Sequence, residues 1–281
     1  MKENKASIIN LIANIFLFII KLIAGILSKS IAIISDAINS FMDILSSIAI
    51  WYSIKISKKK ADKTHPFGHH RAQPIAGLIV AVIAFILGFE IIKSSIERFF
   101  YETEINISLF SYIVLIISIL IKLILYLYLT KRGKKERSPA LKAAGIDSRN
   151  DVLSTFIALI GIMGYYFGLN YLDAIAGLMI GLIIIKFSID IGKENIPYLM
   201  GESPNQVYYN KIEKEILNVK DVKKIHDLKI HYVGNYFHVE VHIEVDGNLS
   251  TIESHKISNN VEKKIKRLKD VDKIFVHIDP I

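Results

Sequence analysis

Carboxylate and amide side chains recur at one-turn spacing in two otherwise apolar stretches of the chain. Asn39 and Asp43 are four residues apart in the first stretch, and Asp147 and Asp151 are four residues apart in the second. A spacing of four places both members of a pair on one face of a helix. If these two faces meet, three carboxylates and one amide oxygen could bind a hard divalent cation. Alternatively, the same groups lie near helix ends or hydrogen-bond neighbouring helices.

Both pairs lie in segments that are long enough to cross a membrane. Hydrophobic residues make up 52% of the 281 residues, charged residues 22%, and the mean hydropathy is +0.38. The apolar residues form runs of about 20 residues, the length of a helix that spans a bilayer core about 30 Å thick. An ionisable group at that depth is energetically costly, which points to a function. The six predicted spans are Ala6–Ser28, Ile31–Ile56, Ala72–Ile92, Ile107–Leu129, Pro139–Leu169 and Tyr171–Gly192.

The loop charges predict how these spans are oriented. One basic cluster lies between spans two and three and another between spans four and five, whereas Glu97, Glu102 and Glu104 follow span three. We therefore expect a multi-pass protein of the cell membrane, with its six spans in the lipid bilayer. The positive-inside rule places both basic loops and both termini on the cytoplasmic side. These loop residues explain the net charge of +8, so we do not expect the protein to bind nucleic acid. The clusters are Lys55, Lys58, Lys59, Lys60, Lys63 and Arg71, and Lys131, Arg132, Lys134, Lys135, Arg137 and Lys142.

Two lysines also lie within the apolar spans. Lys21 could pair with Asp36, or either Lys21 or Lys122 could extend its amine to the membrane interface. We expect structural roles for both lysines.

The composition changes after Asn195, and a soluble tail follows. We predict a six-helix membrane domain of residues 1–195 and a cytosolic domain of residues 196–281. The tail pattern is α-β-β-α-β, which favours a small α+β, ferredoxin-like sheet with helices on one face. Ser250 and Glu253 form a capping-box signature that opens the second helix. The other predicted elements are the helix Gln206–Leu217 and the strands Val222–His231, Tyr236–Val245 and Val271–His277.

Three stretches of the chain resemble the signature blocks of the cation diffusion facilitator family. They are SDAINSFMD (35–43), HPFGHHR (65–71) and DSRNDVLS (147–154). The resemblance implies a homodimeric transporter that exports divalent metal ions, usually in exchange for protons. It also implies a transport site at Asn39, Asp43, Asp147 and Asp151. Gln73 departs from the glutamate that many members have after the second block.

The donor set indicates which metal is transported. None of the nine histidines lies in a predicted span, whereas zinc-transporting members typically have a histidine in the membrane site. Oxygen donors suit Mn²⁺, Mg²⁺ or Ca²⁺, and the borderline Fe²⁺. The all-oxygen set resembles the manganese-exporting branch of the family, so Mn²⁺ is the metal we expect. Zn²⁺ and Fe²⁺ remain alternatives, because Mn²⁺ is the weakest binder in the Irving–Williams series. The metal is expected as substrate and possible regulator, with no prosthetic group. The absence of cysteine excludes thiolate ligands and disulfides.

The resemblance also implies metal sites outside the membrane. Asp62, His65 and His69 match a peripheral site of some members, although they could equally be solvated loop residues. In the tail, six residues fall at or near positions where relatives bind regulatory metal at a dimer interface. They could instead be the polar residues of an open sheet face, and His231 and His238 could replace some of them. The six are His226, Glu240, His242, His255, His277 and Asp279.

Alternating access of the membrane site, with protons displacing the metal, is therefore the expected mechanism. We weigh two alternatives: a zinc or iron exporter of the same family, and a membrane metal sensor whose spans only anchor the tail. An anchor has no use for buried carboxylates, which argues against the sensor. No nucleophile–base pair or cofactor motif is present in the sequence, so we do not expect an enzyme.

Overall fold

The computed structural model describes residues 2–100, 106–135, 139–169, 171–234, 236–268 and 270–281. Three charged residues that entered the orientation argument, Glu102, Glu104 and Arg137, lie outside these ranges.

Six long helices precede the soluble elements, as predicted from the apolar runs. Each is long and apolar enough to cross a membrane. Large apolar side chains on their outer surfaces, such as Ile12 and Ile124, are more than half exposed, which is the arrangement expected of a lipid-facing surface. The six helices are α1 (Lys2–Ser28), α2 (Ile31–Ser57), α3 (Ala72–Phe100), α4 (Leu109–Lys135), α5 (Pro139–Met163) and α6 (Tyr171–Met200).

Helix boundaries are where the sequence prediction was least accurate. The helix α3 continues to Phe100 and α6 to Met200, so both extend well beyond their apolar runs. A charged or polar end does not stop a helix, and Pro197 in the last turn of α6 removes only one backbone hydrogen bond. The chain leaves α6 at Gly201, which has φ +76°, and the Glu202 N–H donates to the Pro197 carbonyl at 3.0 Å. This is a left-handed glycine cap.

One compact unit comprises residues 1–49 and 79–191. Its buried core combines small and branched residues from several helices, including Ala24, Ile33, Ala84, Leu115 and Ile180. Small residues allow helix backbones to approach closely where lipid offers no hydrophobic driving force. The clearest case is Gly161, because a Cβ added there would lie 2.6 Å from the Ala176 Cβ.

The second unit comprises residues 50–78 and 192–281. Its soluble elements follow the predicted α-β-β-α-β order. They are α7 (Gln206–Leu217), β1 (Lys224–Val233), β2 (Tyr236–Val245), α8 (Thr251–Ile265) and β3 (Val271–Pro280). The predicted boundary between residues 195 and 196 stays a prediction, and α6 runs across it.

The sheet has β2 in its centre, antiparallel to β1 and parallel to β3. Alternate β2 residues from Phe237 to Val245 are buried and pack with Ile212, Ile257 and Val261 of the two helices. The capping box predicted at Ser250 and Glu253 is present at the start of α8. This packing leaves the face that carries the β2 histidines on the side away from the helices.

Candidate metal centre

The helices α2 and α5 bring three of the four predicted membrane ligands together. The Asn39 Nδ2 atom donates a hydrogen bond to Asp151 Oδ1 at 2.9 Å. Asp43 Oδ2 and Asp151 Oδ2 both contact one ammonium group, that of Lys122, with the Asp43 distance at 3.3 Å. The one-turn spacing within α2 and α5 therefore does align polar groups on facing helix surfaces.

Lys122 of α4 is buried among acidic groups. Of the two expected roles, structural or directed to the membrane interface, the second does not hold, because the side chain is only 1% exposed and lies between Asp43 and Asp151. Its third partner is Asn14 of α1, whose Oδ1 accepts a hydrogen bond at 2.8 Å. The sequence signals were a lysine within the apolar run of α4 and an asparagine within that of α1.

Asp147 has different surroundings from the other three residues. It lies one turn before Asp151 on α5 and is exposed in this single chain. It is not one of the groups that bind the Lys122 ammonium. A fourth donor is thus positioned beside the cluster by helical spacing, without being held by the same hydrogen bonds.

The predicted pairing of Lys21 with Asp36 is confirmed. Lys21 Nζ lies 2.7 Å from Asp36 Oδ2, and both side chains are fully buried. The ammonium also donates to Thr155 Oγ1 at 2.9 Å and to Ser40 Oγ at 3.2 Å. These contacts join α1, α2 and α5 through a buried ion pair that is separate from the Asn39, Asp43 and Asp151 cluster.

A second polar network at the start of α2 was missed by the sequence reasoning. The Asp173 carboxylate of α6 accepts hydrogen bonds from the Ile31 and Ala32 N–H groups at 2.9 and 3.3 Å and from the Ser30 hydroxyl. Arg98 of α3 pairs with the same carboxylate at 2.9 Å. A carboxylate at a helix N-terminus satisfies free backbone donors there, so the network has a capping role.

In the loop after α2, the three predicted residues lie close together. A carboxylate oxygen of Asp62 and one ring nitrogen each from His65 and His69 all lie within 4.8 Å of one another. Hydrogen bonds from the Thr64 hydroxyl and the His65 N–H lower the pKa of Asp62 to about 2. The carboxylate therefore stays ionised and available as a metal ligand across the physiological pH range.

The tail contains a comparable cluster of His242, His277 and Asp279. His242 and His277 are register partners on the parallel strands β2 and β3, with ring centroids 4.5 Å apart. Asp279 Oδ2 lies 3.3 Å from His242 Nδ1, and Asp279 Oδ1 lies 3.4 Å from His277 Nε2. Parallel pairing thus aligns an imidazole from each strand beside one carboxylate.

The remaining tail predictions divide between this cluster and other surfaces. His226 lines the same groove, together with Asp227 and Glu244, two acidic residues that the sequence reasoning missed. Glu240 instead lines a cavity with His231 and His238, further along the sheet. His255 is exposed on α8, which packs on the opposite face, so the fold does not bring it to the cluster.

His238 is the buried histidine of the polar sheet face. Its ring centroid is 5.5 Å from that of Phe67, which comes from the loop after α2. Its Nε2 atom lies 3.1 Å from Asp272 Oδ2, and burial lowers the pKa of its imidazole. The polar sheet face is therefore not open along its whole length, because at His238 the loop after α2 covers it.

The chain matches family models along almost its whole length. Residues 7–200 match the cation efflux transmembrane domain, and residues 204–281 match the cytoplasmic domain of cation efflux proteins. A Methanocaldococcus jannaschii protein that is named as an uncharacterized transporter is 38% identical to this chain over 99% of both chains. The manganese efflux system proteins MneS and MneP of Bacillus subtilis are 32% and 31% identical, over 100% and 99% of this chain and 96% of each relative.

Proposed function

Because the chain belongs to the cation efflux family, also called the cation diffusion facilitators, we propose that it exports Mn²⁺ in exchange for protons. Family membership makes it a multi-pass membrane transporter for divalent metal cations, not an enzyme. The choice of metal, the proton coupling, the homodimeric assembly and the cytoplasmic location of both termini are parts of the proposal.

The observation that carries the proposal is the meeting of α2 and α5 at Asn39, Asp43 and Asp151. Buried acidic groups in membrane helices are costly, and they persist where they bind an ion or a proton. With Asp147, one turn before Asp151 on α5, the proposed donor set is three carboxylates and one amide, which offers a cation only oxygen ligands.

Manganese is favoured by the chemistry of these donors. Among the described residues, no histidine lies in a helix that could span a membrane, so the site lacks the imidazole that suits zinc. Two similar proteins are named as manganese efflux system proteins, which supports the same choice. Selectivity in such a site must come from geometry and metal availability, because zinc binds most ligand sets more tightly than manganese.

Protons are the natural counter-substrate for such a site. Three carboxylates held close together repel one another when the metal leaves, and protonation relieves that repulsion. We propose that the clusters at Asp62, His65 and His69 and at His242, His277 and Asp279 bind regulatory metal. In this proposal the C-terminal domain also forms the homodimer contact, as expected from its match to the cytoplasmic domain of the family.

The proposal is tested by metal flux in proteoliposomes that carry the full chain under an imposed pH gradient. Mn²⁺, Zn²⁺ and Fe²⁺ are compared for the native protein, for Asp147→Asn and for the control Glu90→Gln. Glu90 is an exposed acidic residue of α3 and is not part of the cluster. We expect manganese flux that is lost in Asp147→Asn and retained in Glu90→Gln.

Other results would reject parts of the proposal. Zinc flux without manganese flux would keep the transporter and reject the selectivity argument. Equal loss of flux in both variants would reject the specific role of Asp147. Absence of any metal flux in folded, dimeric protein would reject the transport function and favour the metal sensor.

A further inference from the structure

The three donor hydrogens of the Lys122 ammonium are matched by three acceptors inside the helix bundle. These are Asp43 Oδ2 at 3.3 Å, Asn14 Oδ1 at 2.8 Å and Asp151 Oδ2. A lysine ammonium has three N–H donors, so its hydrogen-bonding capacity is fully used. The side chain is 1% exposed, and loss of one of these hydrogen bonds at a buried ammonium is energetically costly.

The same contacts occupy the proposed cargo ligands. Asp151 Oδ2 binds the ammonium, and Asp151 Oδ1 accepts the amide hydrogen of Asn39. Two of the three carboxylates of the proposed site, Asp43 and Asp151, thus contact a positive charge that belongs to the protein itself. A metal ion that takes these oxygens as ligands has to replace that charge.

Lys21 provides an internal comparison. It is buried to the same degree, but its partners are Asp36, Ser40 and Thr155, none of which is a proposed metal ligand. The chain therefore has one buried lysine bound to a fixed structural partner and another bound to the transport ligands. Burial of a lysine in this bundle does not by itself require contact with those ligands.

We propose that Lys122 is a tethered counter-ion that occupies the cargo position when the transporter is unloaded, and that the divalent metal displaces it. This inference rests on the proposed function, since it assigns a competitor to the same metal site. Asn14 is the neutral acceptor that keeps a hydrogen bond to the ammonium when the two carboxylates turn to the metal. In this way Lys122 sets how tightly the metal is held.

Charge balance supports this role. Three carboxylates and one ammonium carry a net charge of about −2, and a divalent metal brings the total to zero. Without the lysine, the unloaded site would hold three uncompensated carboxylates within the apolar bundle, which is more unfavourable than the same site loaded with metal. The ammonium also remains available to return to Asp43 and Asp151 as the metal leaves, so it favours release.

The test compares Mn²⁺ affinity and Mn²⁺ turnover in the full chain, by calorimetry in detergent and by flux in proteoliposomes. Removing the competitor with Lys122→Met is expected to tighten Mn²⁺ binding about tenfold or more and to slow turnover, because release becomes harder. Lys122→Arg keeps the positive charge and is expected to retain affinity within a few fold of the native protein. Loss of a merely structural lysine would not increase affinity.

Asn14→Leu alone gives a second test, which does not require Lys122→Met to fold, and a double variant extends it where Lys122→Met is folded. Without the neutral acceptor, the ammonium has only the carboxylates as partners, so Mn²⁺ binding is expected to weaken several fold. In the Lys122→Met background, Asn14→Leu is expected to have no further effect on affinity. Unchanged Mn²⁺ affinity in Asn14→Leu would contradict the proposal.

The two levels of inference fail in distinguishable ways. Native protein that neither binds nor transports Mn²⁺ or another divalent metal would overturn the proposed function. Normal native transport, together with unchanged or weaker Mn²⁺ binding in folded Lys122→Met, would overturn only the role of Lys122.

Discussion

Two aspartates on one face of α5 have unequal surroundings at the residue scale. Asp151 is buried and binds both Asn39 and Lys122, whereas Asp147 is exposed and binds neither group. Both are proposed metal ligands, so both should be needed for transport. Only Asp151 should also be needed for stability.

We therefore expect Asp151→Ala to lower the free energy of unfolding by on the order of 3 kcal/mol, because it deprives a buried ammonium of one partner. Asp147→Ala should change it by less than about 1 kcal/mol. Denaturant unfolding of the metal-free protein in detergent measures the difference, and metal flux should be lost in both variants. Equal stability of the two variants would contradict the contacts described for Asp151.

The meeting of Asn39, Asp43 and Asp151 could be predicted from sequence because the information for it is local, whereas Asp147 as a fourth ligand stays a prediction. A separation of four residues fixes a common helix face whatever the helix packs against. The role of Lys122 could not be predicted in the same way, because a long, flexible side chain can contact either neighbouring helix or the interface. The acceptors that the Lys122 ammonium contacts depend on how α4 packs beside α1, α2 and α5.

His238 gives a pH dependence with a definite sign. Burial lowers the pKa of its imidazole in the folded domain, while the unfolded chain has the ordinary value of about 6.5. Below that value the unfolded state binds more protons, so stability is greatest above about pH 6.5 and falls as the pH drops toward the lowered folded value.

Hydrogen exchange of β2 in the full chain should therefore reveal more frequent opening at pH 5.5 than at pH 8. His238→Phe, which cannot be protonated, should reduce this difference. Native and variant proteins are compared at each pH, so that the intrinsic exchange chemistry cancels. An identical pH response in both proteins would show that His238 does not contribute to it.

At the element scale, close packing between helices is expected to determine how a helical glycine tolerates substitution. A Cβ added at Gly161 of α5 would lie 2.6 Å from the Ala176 Cβ and 3.3 Å from the Ala32 Cβ. By contrast, a Cβ added at Gly192 of α6 would meet no atom within 4 Å. The two helical glycines are thus a matched pair for testing the packing.

Gly161→Ala is expected to destabilise the protein by about 1–3 kcal/mol, because the added methyl forces neighbouring helices apart. Gly192→Ala should not destabilise it, since alanine favours helix more than glycine does. Thermal unfolding in detergent measures both changes. A larger loss of stability in Gly192→Ala than in Gly161→Ala would contradict the described packing.

Element types could be predicted from periodicity more reliably than element ends. The strict alternation from Tyr236 to Val245 gave β2 its observed bounds, because one face of that strand is buried against helices. The apolar runs gave all six long helices but underestimated α3 and α6. Hydropathy reports where lipid contact ends, whereas backbone caps such as Gly201 determine where the helix ends.

At the scale of the whole molecule, the fold class and the family were predictable and the tail contacts were not. The architecture could be predicted from three kinds of sequence feature: six apolar runs, the α-β-β-α-β pattern of the soluble tail and three short motifs. The grouping of His242, His277 and Asp279 depends on strand register, and His255 lies on α8, on the other side of the sheet. Register and sheet order are long-range properties that single-chain patterns do not specify.

The most direct test of the whole account records Mn²⁺ and proton movement together in one proteoliposome preparation of the native protein. We predict that added Mn²⁺ moves in one direction while protons move in the other, and that Asp147→Asn abolishes both fluxes. Manganese movement with no accompanying proton flux, or proton flux that persists in Asp147→Asn, would contradict the account.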